Sequence, residues 1–312
     1  MKVLLISFSG SGNTTLCGDY LKEHFVSLGH ECEHYQIKHN VPFAYDLNEY
    51  DLIGFGYPIH AFNAPEAFVK FVKKLPKLKE KKNIFIFKVS GEPFAPNNAS
   101  SFHSYLKLKR RNMVLIAEKH FLMPYNIMFR YRDSLAKQMY LYLYSLTKAF
   151  VLEILNEEKP EKIWYAPWHV VWSFLLRIEW IAPKLNCLFV GVKKDKCINC
   201  HKCINECPCG AVFINKKGRI RLKASKCAMC MRCAMFCPTD AFTYGFMNPW
   251  KVNGAFQYKK LVKDKDVPAE YINHNTKGYF KLFNKYFDKQ KVLLEKYNIP
   301  NPIEEYNSLE NE

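Results

Sequence analysis

The chain has 312 residues, enough for one large domain or two ordinary ones, and 49% of them are apolar, which excludes wholesale disorder. Lys and Arg number 46 against 29 Asp and Glu, a formal charge of +17. No nucleic-acid recognition motif accompanies that charge, so nucleic acid is set aside as a partner.

Met1 to Phe8 is an apolar run too short for a secretion signal and lacks a small-residue cleavage site, so it reads as a buried strand. The expected location is cytoplasmic, a reducing compartment in which the twelve Cys favour metal binding over disulfides. A Gly/Ser-rich turn follows, then a helix over about 13–28 and a strand at 31–37. Residues 51–57 read as a third strand, Phe68, Val69, Phe71, Val72 and Leu75 as one helical face, 83–89 and 113–121 as two more strands, and 134–156 as a helix. Strands alternating with helices at this spacing specify an α/β fold with a five-stranded parallel sheet covered on both faces.

Residues 157–187 connect this unit to a Cys-rich one and hold four of the five Trp: Trp164, Trp168, Trp172 and Trp180. A helix fits between Pro167 and Pro183, with His169, Ser173 and Arg177 on a narrow polar stripe and Trp168, Trp172, Leu176 and Trp180 opposite. Its polar and charged residues, Glu179 among them, argue against a bilayer span. A buried brace between the two units is the favoured reading, over an interfacial membrane helix. Residues 248–312 form an extension without a chemical motif, expected as a loop and a helix (about 277–297) packed on the rest.

The Cys-rich unit, 188–247, repeats C-x2-C-x2-C-x3-C-P: Cys197, Cys200, Cys203 and Cys207 before Pro208, then Cys227, Cys230, Cys233 and Cys237 before Pro238, thirty residues on. Three Cys at this spacing wrap three corners of one cubane, and the fourth, ahead of Pro, leads away to the other cluster. Two [4Fe–4S] clusters are expected, one on Cys197, Cys200, Cys203 and Cys237, the other on Cys227, Cys230, Cys233 and Cys207. Structural zinc sites use paired C-x2-C arms rather than a duplicated run of four. Cys209 is read as a spare thiol, and Cys17, Cys32 and Cys187 as core residues. Residues 190–246 resemble a bacterial-type two-cluster ferredoxin, a small α+β domain.

After the first strand, Ser9, Gly10, Ser11, Gly12, Asn13 and Thr14 open a helix. Hydroxyls, backbone N–H groups and a helix N-terminus make a neutral anion cradle suited to a phosphate monoester. It lacks the Lys of a P-loop, and Thr15 stands where a dinucleotide fingerprint needs its third Gly. Ser9, Ser11, Gly12 and Thr14 match the FMN loop of flavodoxins, [ST]-x-[ST]-G-x-T, and residues 1–156 resemble a flavodoxin. The resemblance implies FMN, with its ring at the ends of the third and fourth strands, where Tyr57, Pro58, Ile59, His60 and Ser90, Gly91, Glu92 stand. Tyr57 or Phe94 is expected to stack on the ring.

The order of the two units is similar to that of flavodoxin–ferredoxin fusion proteins of anaerobic bacteria. That resemblance implies electron transfer between FMN and two clusters, converting one- and two-electron steps with redox partner proteins. The alternative is an oxidoreductase reducing a small acceptor such as a quinone. With cofactors counted the charge is still about +11, which suits an acidic partner or an anionic membrane surface, the membrane being the less favoured.

Overall fold

A computed structural model describes residues 1–125, 127–156 and 166–311. The apolar runs form β1 (Lys2–Ser7), β2 (Glu31–Gln36), β3 (Leu52–Pro58), β4 (Lys82–Ser90) and β5 (Met113–Leu122), all parallel, in the order β2-β1-β3-β4-β5. The central strands carry almost unbroken apolar sequence because helices cover both faces. On one face lie α1 (Asn13–Ser27) and α4 (Asp133–Leu155); on the other lie α2 (Glu66–Lys74) and α3 (Phe102–Lys109). The strand order reverses between β1 and β3, so the loops after β1, β3 and β4 gather at one edge, where such sheets bind ligands.

Helix α3 and the 3-10 turn before it, Ala95–Ser101, were not foreseen. Their buried face is partly polar, with Ser100, Ser101 and Ser104 all inside, which hides the apolar period that marks a helix.

The connector departs from its expected form. Its first nine residues, 157–165 with Trp164, lie outside the described ones. Instead of one helix from Pro167 to Pro183 there are α5 (Pro167–Leu175), a 3-10 turn (Leu176–Trp180) and α6 (Ala182–Asn186). The expected burial is also inverted. Ser173, on the polar stripe, is fully buried, while Trp168 and Trp172 are exposed. The reason is a reciprocal pair of hydrogen bonds: Ser173 Oγ donates to Asn63 Oδ1 (2.9 Å), and Asn63 Nδ2 donates to the Ser173 carbonyl (2.7 Å). Two buried amide-type groups must pair, and this pairing turns the polar side of α5 inward. The segment does touch both units, through Ser173, half-buried Trp180 and buried Cys187, while Trp168 and Trp172 stay exposed.

In the Cys-rich unit, β6 (Val190–Val192) pairs antiparallel with β9 (Phe242–Tyr244), and β7 (Val212–Ile214) with β8 (Ile220–Leu222). One-turn helices α7 (Lys202–Asn205) and α8 (Arg232–Met235) carry the third Cys of each run. The sequence repeat is also a backbone repeat. Asn199 and Met229, His201 and Met231, and Gly210 and Asp240 all take positive φ. Non-Gly residues held in the left-handed region at matching places signal a loop shaped for a purpose.

The extension forms α9 (Tyr258–Lys263), α10 (Leu282–Lys296) and α11 (Pro302–Asn311). These helices share one core with α1 and α4: Phe283, Phe287, Leu294 and Ile303 pack with Leu143, Leu146 and Phe150. Helix α4 is thereby covered on two sides. Its buried Lys137 donates to the carbonyls of Asp264 and Val267 and to the Tyr306 hydroxyl, and its buried Gln138 to the Ile272 carbonyl.

Candidate functional site

The loop between β1 and α1 has the shape of an anion cradle. Gly12 takes φ 108°, open to glycine at no steric cost, and donates its N–H to Ser9 Oγ (3.1 Å). Thr14 Oγ1 is buried with no hydrogen-bond partner among the described residues. An orphaned buried hydroxyl costs about 1–3 kcal/mol, so a group that supplies its partner is favoured here. Ser9 and Ser11 remain partly exposed. The side chain of Asn13, expected in the cradle, is engaged elsewhere: Nδ2 donates to the Pro124 carbonyl (3.0 Å) and Oδ1 accepts from Tyr258 of the extension (2.9 Å).

Two loops face each other beyond β3 and β4. Ile59 N–H donates to the Val89 carbonyl (2.8 Å), tying them together. Residues 60–63 make a tight turn in which His60 and Asn63 exchange backbone hydrogen bonds of 2.8 Å. Both central residues are left-handed, Ala61 at φ 37° and Phe62 at 59°, a turn that usually demands Asn or Gly. Asn63 holds it by donating to the Ala61 carbonyl (2.9 Å). In the second loop, Ser90 Oγ lies 2.7 Å from His120 Nε2 and 2.8 Å from the Glu92 carbonyl, while Asn97 Nδ2 donates to the same carbonyl and Tyr131 to that of Gly91. Beneath lies a buried ion pair, Lys88 to Glu118 at 2.6 Å.

Of the two rings expected to stack on a ligand, Tyr57 does not face the loops. It is fully buried, tilted against Phe68, with its hydroxyl at Ser100. The rings that remain partly exposed at the loops are Phe94, paired edge-on with Phe62, and Tyr125, which lies against Gly91. Burial pushes His60 down to about 4, so its imidazole is neutral at neutral pH, and pushes the Glu92 carboxyl up to about 7.

The eight repeat cysteines line two pockets. Cys197, Cys200, Cys203 and Cys237 surround one; Cys207, Cys227, Cys230 and Cys233 surround the other. Each pocket thus takes three thiols from one run and one from the other. Among the described residues no three such side chains converge tightly enough for a single ion; the thiols line the pocket walls instead. Backbone amides aim at the sulfurs in matching pairs: Ala211 N–H to Cys207 and Ala241 N–H to Cys237, both at 3.2 Å. Burial pushes Cys230 up to about 12, and burial and neighbouring thiolates also raise Cys233 well above the ordinary thiol value. Four thiolates gathered in so dry a place need a cationic centre, which fits iron. Cys187 is not an ordinary core residue. Its thiol lies against that of Cys227 and lowers it below the ordinary cysteine value. Cys17 and Cys32 are buried in the sheet core, and Cys209 packs half-buried beside the second set.

The second set is pressed against the cradle. A Cβ on Gly10 would fall 2.3 Å from the Cys230 Cβ, so only glycine allows this approach. Arg232, two residues further on, donates to the Gly10 carbonyl (2.9 Å), pairs with Glu206 (2.7 Å) and lies over the Phe236 ring. His39 N–H donates to the Pro208 carbonyl (2.8 Å). Sequence reasoning missed Arg232 and the role of Gly10, because both depend on residues about 220 positions apart.

Comparison with known proteins follows the same division. Residues 4–117 match the family model of a flavodoxin domain, and residues 196–241 that of a 4Fe-4S dicluster domain. The class is therefore that of flavin and iron–sulfur electron-transfer proteins. More particularly, the chain joins a flavodoxin domain to a 4Fe-4S dicluster domain in the order of a flavodoxin–ferredoxin fusion. Solved structures similar to its N-terminal half include oxidised flavodoxin 1 from Bacillus cereus (19% identity, 50% of this chain and 98% of that one, TM-score 0.38). They also include general stress protein 14 from Treponema denticola in complex with FMN (12%, 51% and 100%, 0.39). No curated protein matches the chain.

Proposed function

We propose that the chain carries electrons between FMN and two [4Fe–4S] clusters, converting two-electron into one-electron steps for a protein partner. FMN exchanges one or two electrons and each cluster exchanges one. Ser9, Ser11, Gly12 and Thr14 hold the phosphate, and the 57–63 and 90–94 loops hold the ring. Cys227, Cys230, Cys233 and Cys207 hold the inner cluster, and Cys197, Cys200, Cys203 and Cys237 the outer one. The observation that carries this reading is the contact of Cys230 with Gly10, which sets the inner thiols directly on the cradle.

The outer set faces away. Cys200 is exposed, and the surface opening beside Cys197 is lined by Lys194, Arg219 and Arg221. These cations suit an acidic redox partner, steered by charge. The test is analysis of anaerobically purified protein together with partner kinetics. About eight irons and one FMN per chain, and reduction by an acidic electron carrier that slows steeply with salt, are expected. Zinc, or a salt-independent rate, would contradict the reading.

Reduction of a small acceptor such as a quinone is the second reading, favoured by His60 and Glu92. A neutral imidazole and a carboxyl at about 7, at the ends of β3 and β4, are groups able to exchange protons with such an acceptor at neutral pH. Anaerobic turnover with quinones that falls in His60→Gln would support it; no turnover with any acceptor would remove it.

A further inference from the structure

The connector exposes an apolar ridge. Trp168 is 59% exposed, Trp172 54%, Ile178 67% and Leu188 76%, with Val171 and Leu175 exposed between them. The ridge continues onto the Cys-rich unit, where exposed Phe189 packs at Gly245, next to exposed Phe246. Soluble surfaces rarely leave so many large apolar side chains together.

Cations stand beside it. Arg177, at the foot of α5, lies over the rings of Phe174 and Trp180 and close to Lys107. Lys107 is itself pushed below the ordinary lysine range, by burial and then by Lys73, Arg177, Arg110 and Arg111.

We infer that the α5–α6 ridge docks on an anionic lipid bilayer, lying in its interface with the Lys73–Lys107–Arg177 cluster at the headgroups. Charge selects this occupant. A second copy of the chain brings the same net positive charge, about +11 with cofactors, and repels, whereas acidic headgroups complement it. Exposed Trp, apolar neighbours and flanking cations are the composition of an interfacial segment. Among the described residues no helix is long and apolar enough to cross a membrane. Docking would set the bilayer against the outer side of α5, whose inner side holds the 60–63 turn through Ser173 and Asn63.

The inference stands apart from the electron-transfer reading, because its test needs no redox turnover. Anaerobic, cofactor-loaded protein is floated with vesicles of phosphatidylcholine alone or with about one third phosphatidylglycerol. Flotation with the anionic vesicles only, weakened by about tenfold or more at high salt, is expected. Trp168→Ser with Trp172→Ser should reduce binding at least about tenfold, and Leu188→Ser with Phe189→Ser likewise, with unchanged circular dichroism and iron content. No flotation, or variants that float as well as the parent, would overturn it. So would a dimer in solution that the Trp variants break, or an acidic protein that binds the ridge in place of vesicles.

Discussion

Gly10 and Arg232 govern how closely the two cofactor units approach. Gly10 admits Cys230, and Arg232 latches the approach through the Gly10 carbonyl. A hydrogen bond from a charged donor is worth about 1.5–3 kcal/mol. Arg232→Ala should therefore keep iron and flavin but loosen the docking, slowing flavin–cluster equilibration about tenfold or more in stopped-flow traces. An unchanged rate would show that Arg232 does not hold the contact. Thr14 gives a cleaner separation of fold from binding. Its Oγ1 has no partner among the described residues, so Thr14→Val should leave the flavin-free form as stable or up to about 1 kcal/mol more stable. FMN affinity should meanwhile fall about tenfold or more. Calorimetric titration and thermal unfolding of the same sample read both effects; a loss of stability with unchanged affinity would contradict the assignment.

Among the elements, α5 and the 60–63 turn act as one unit. The turn is held in a left-handed shape by residues that do not favour it, and Asn63 joins it to Ser173. Asn63→Ala leaves the buried Ser173 groups unpaired and should destabilise the protein by about 1–3 kcal/mol, with faster FMN release. A urea midpoint equal to the parent's would refute this. The elements also show what the sequence makes legible. The three central strands are apolar on both faces, so their runs are conspicuous, and all five strands lie within one residue or so of their expected bounds. The two Cys runs specify their loops through spacing alone. Helix α3 was hidden by buried serines, and α5 was turned over by one long-range amide pair, Asn63 with Ser173. Helix α11 had a signal that went unused: Asn301 before Pro302, whose Oδ1 accepts from Ile303 N–H (3.1 Å). In the site, the phosphate cradle was legible from adjacent residues. The displacement of the Asn13 side chain by Pro124 and Tyr258 was not, since their partners are 111 and 245 residues away.

At the scale of the whole molecule, half-buried, desolvated histidines set the acid limit. Burial lowers His60 and His103 to about 4 and His120 to about 3, well under the ordinary histidine value. Between about pH 4 and 6.5 the unfolded chain therefore binds more protons, and stability rises with pH by up to about 1.4 kcal/mol per unit for each group. Glu92, raised to about 7, acts in the opposite sense between its ordinary value and 7, because the folded state keeps a proton that the unfolded chain has lost. Three groups outweigh one, so the unfolding midpoint should climb from pH 4.5 to 6.5 and then level off or dip. A midpoint falling across that range would contradict the burial of these imidazoles. The two thiol sets also differ in surroundings. The outer has Asn199, His201 and Lys202; the inner has Ala228 and the buried Met229 and Met231. Reduction adds negative charge, which a basic, wetter site favours. The outer cluster should accept an electron at the higher potential, with about 60 mV corresponding to 1.4 kcal/mol, as read by anaerobic potentiometric EPR. Equal potentials, or the reverse order, would count against it.

The most direct measurement follows electrons within a single chain. The flavin of the anaerobic protein is reduced by a light pulse, and its reoxidation is recorded against bleaching of the iron–sulfur absorbance over a range of protein concentrations. The account predicts that both signals share one first-order rate that does not change with concentration, because Cys230 sits on the cradle of the same molecule. A rate proportional to concentration, or a flavin that reoxidises without the clusters responding, would contradict it.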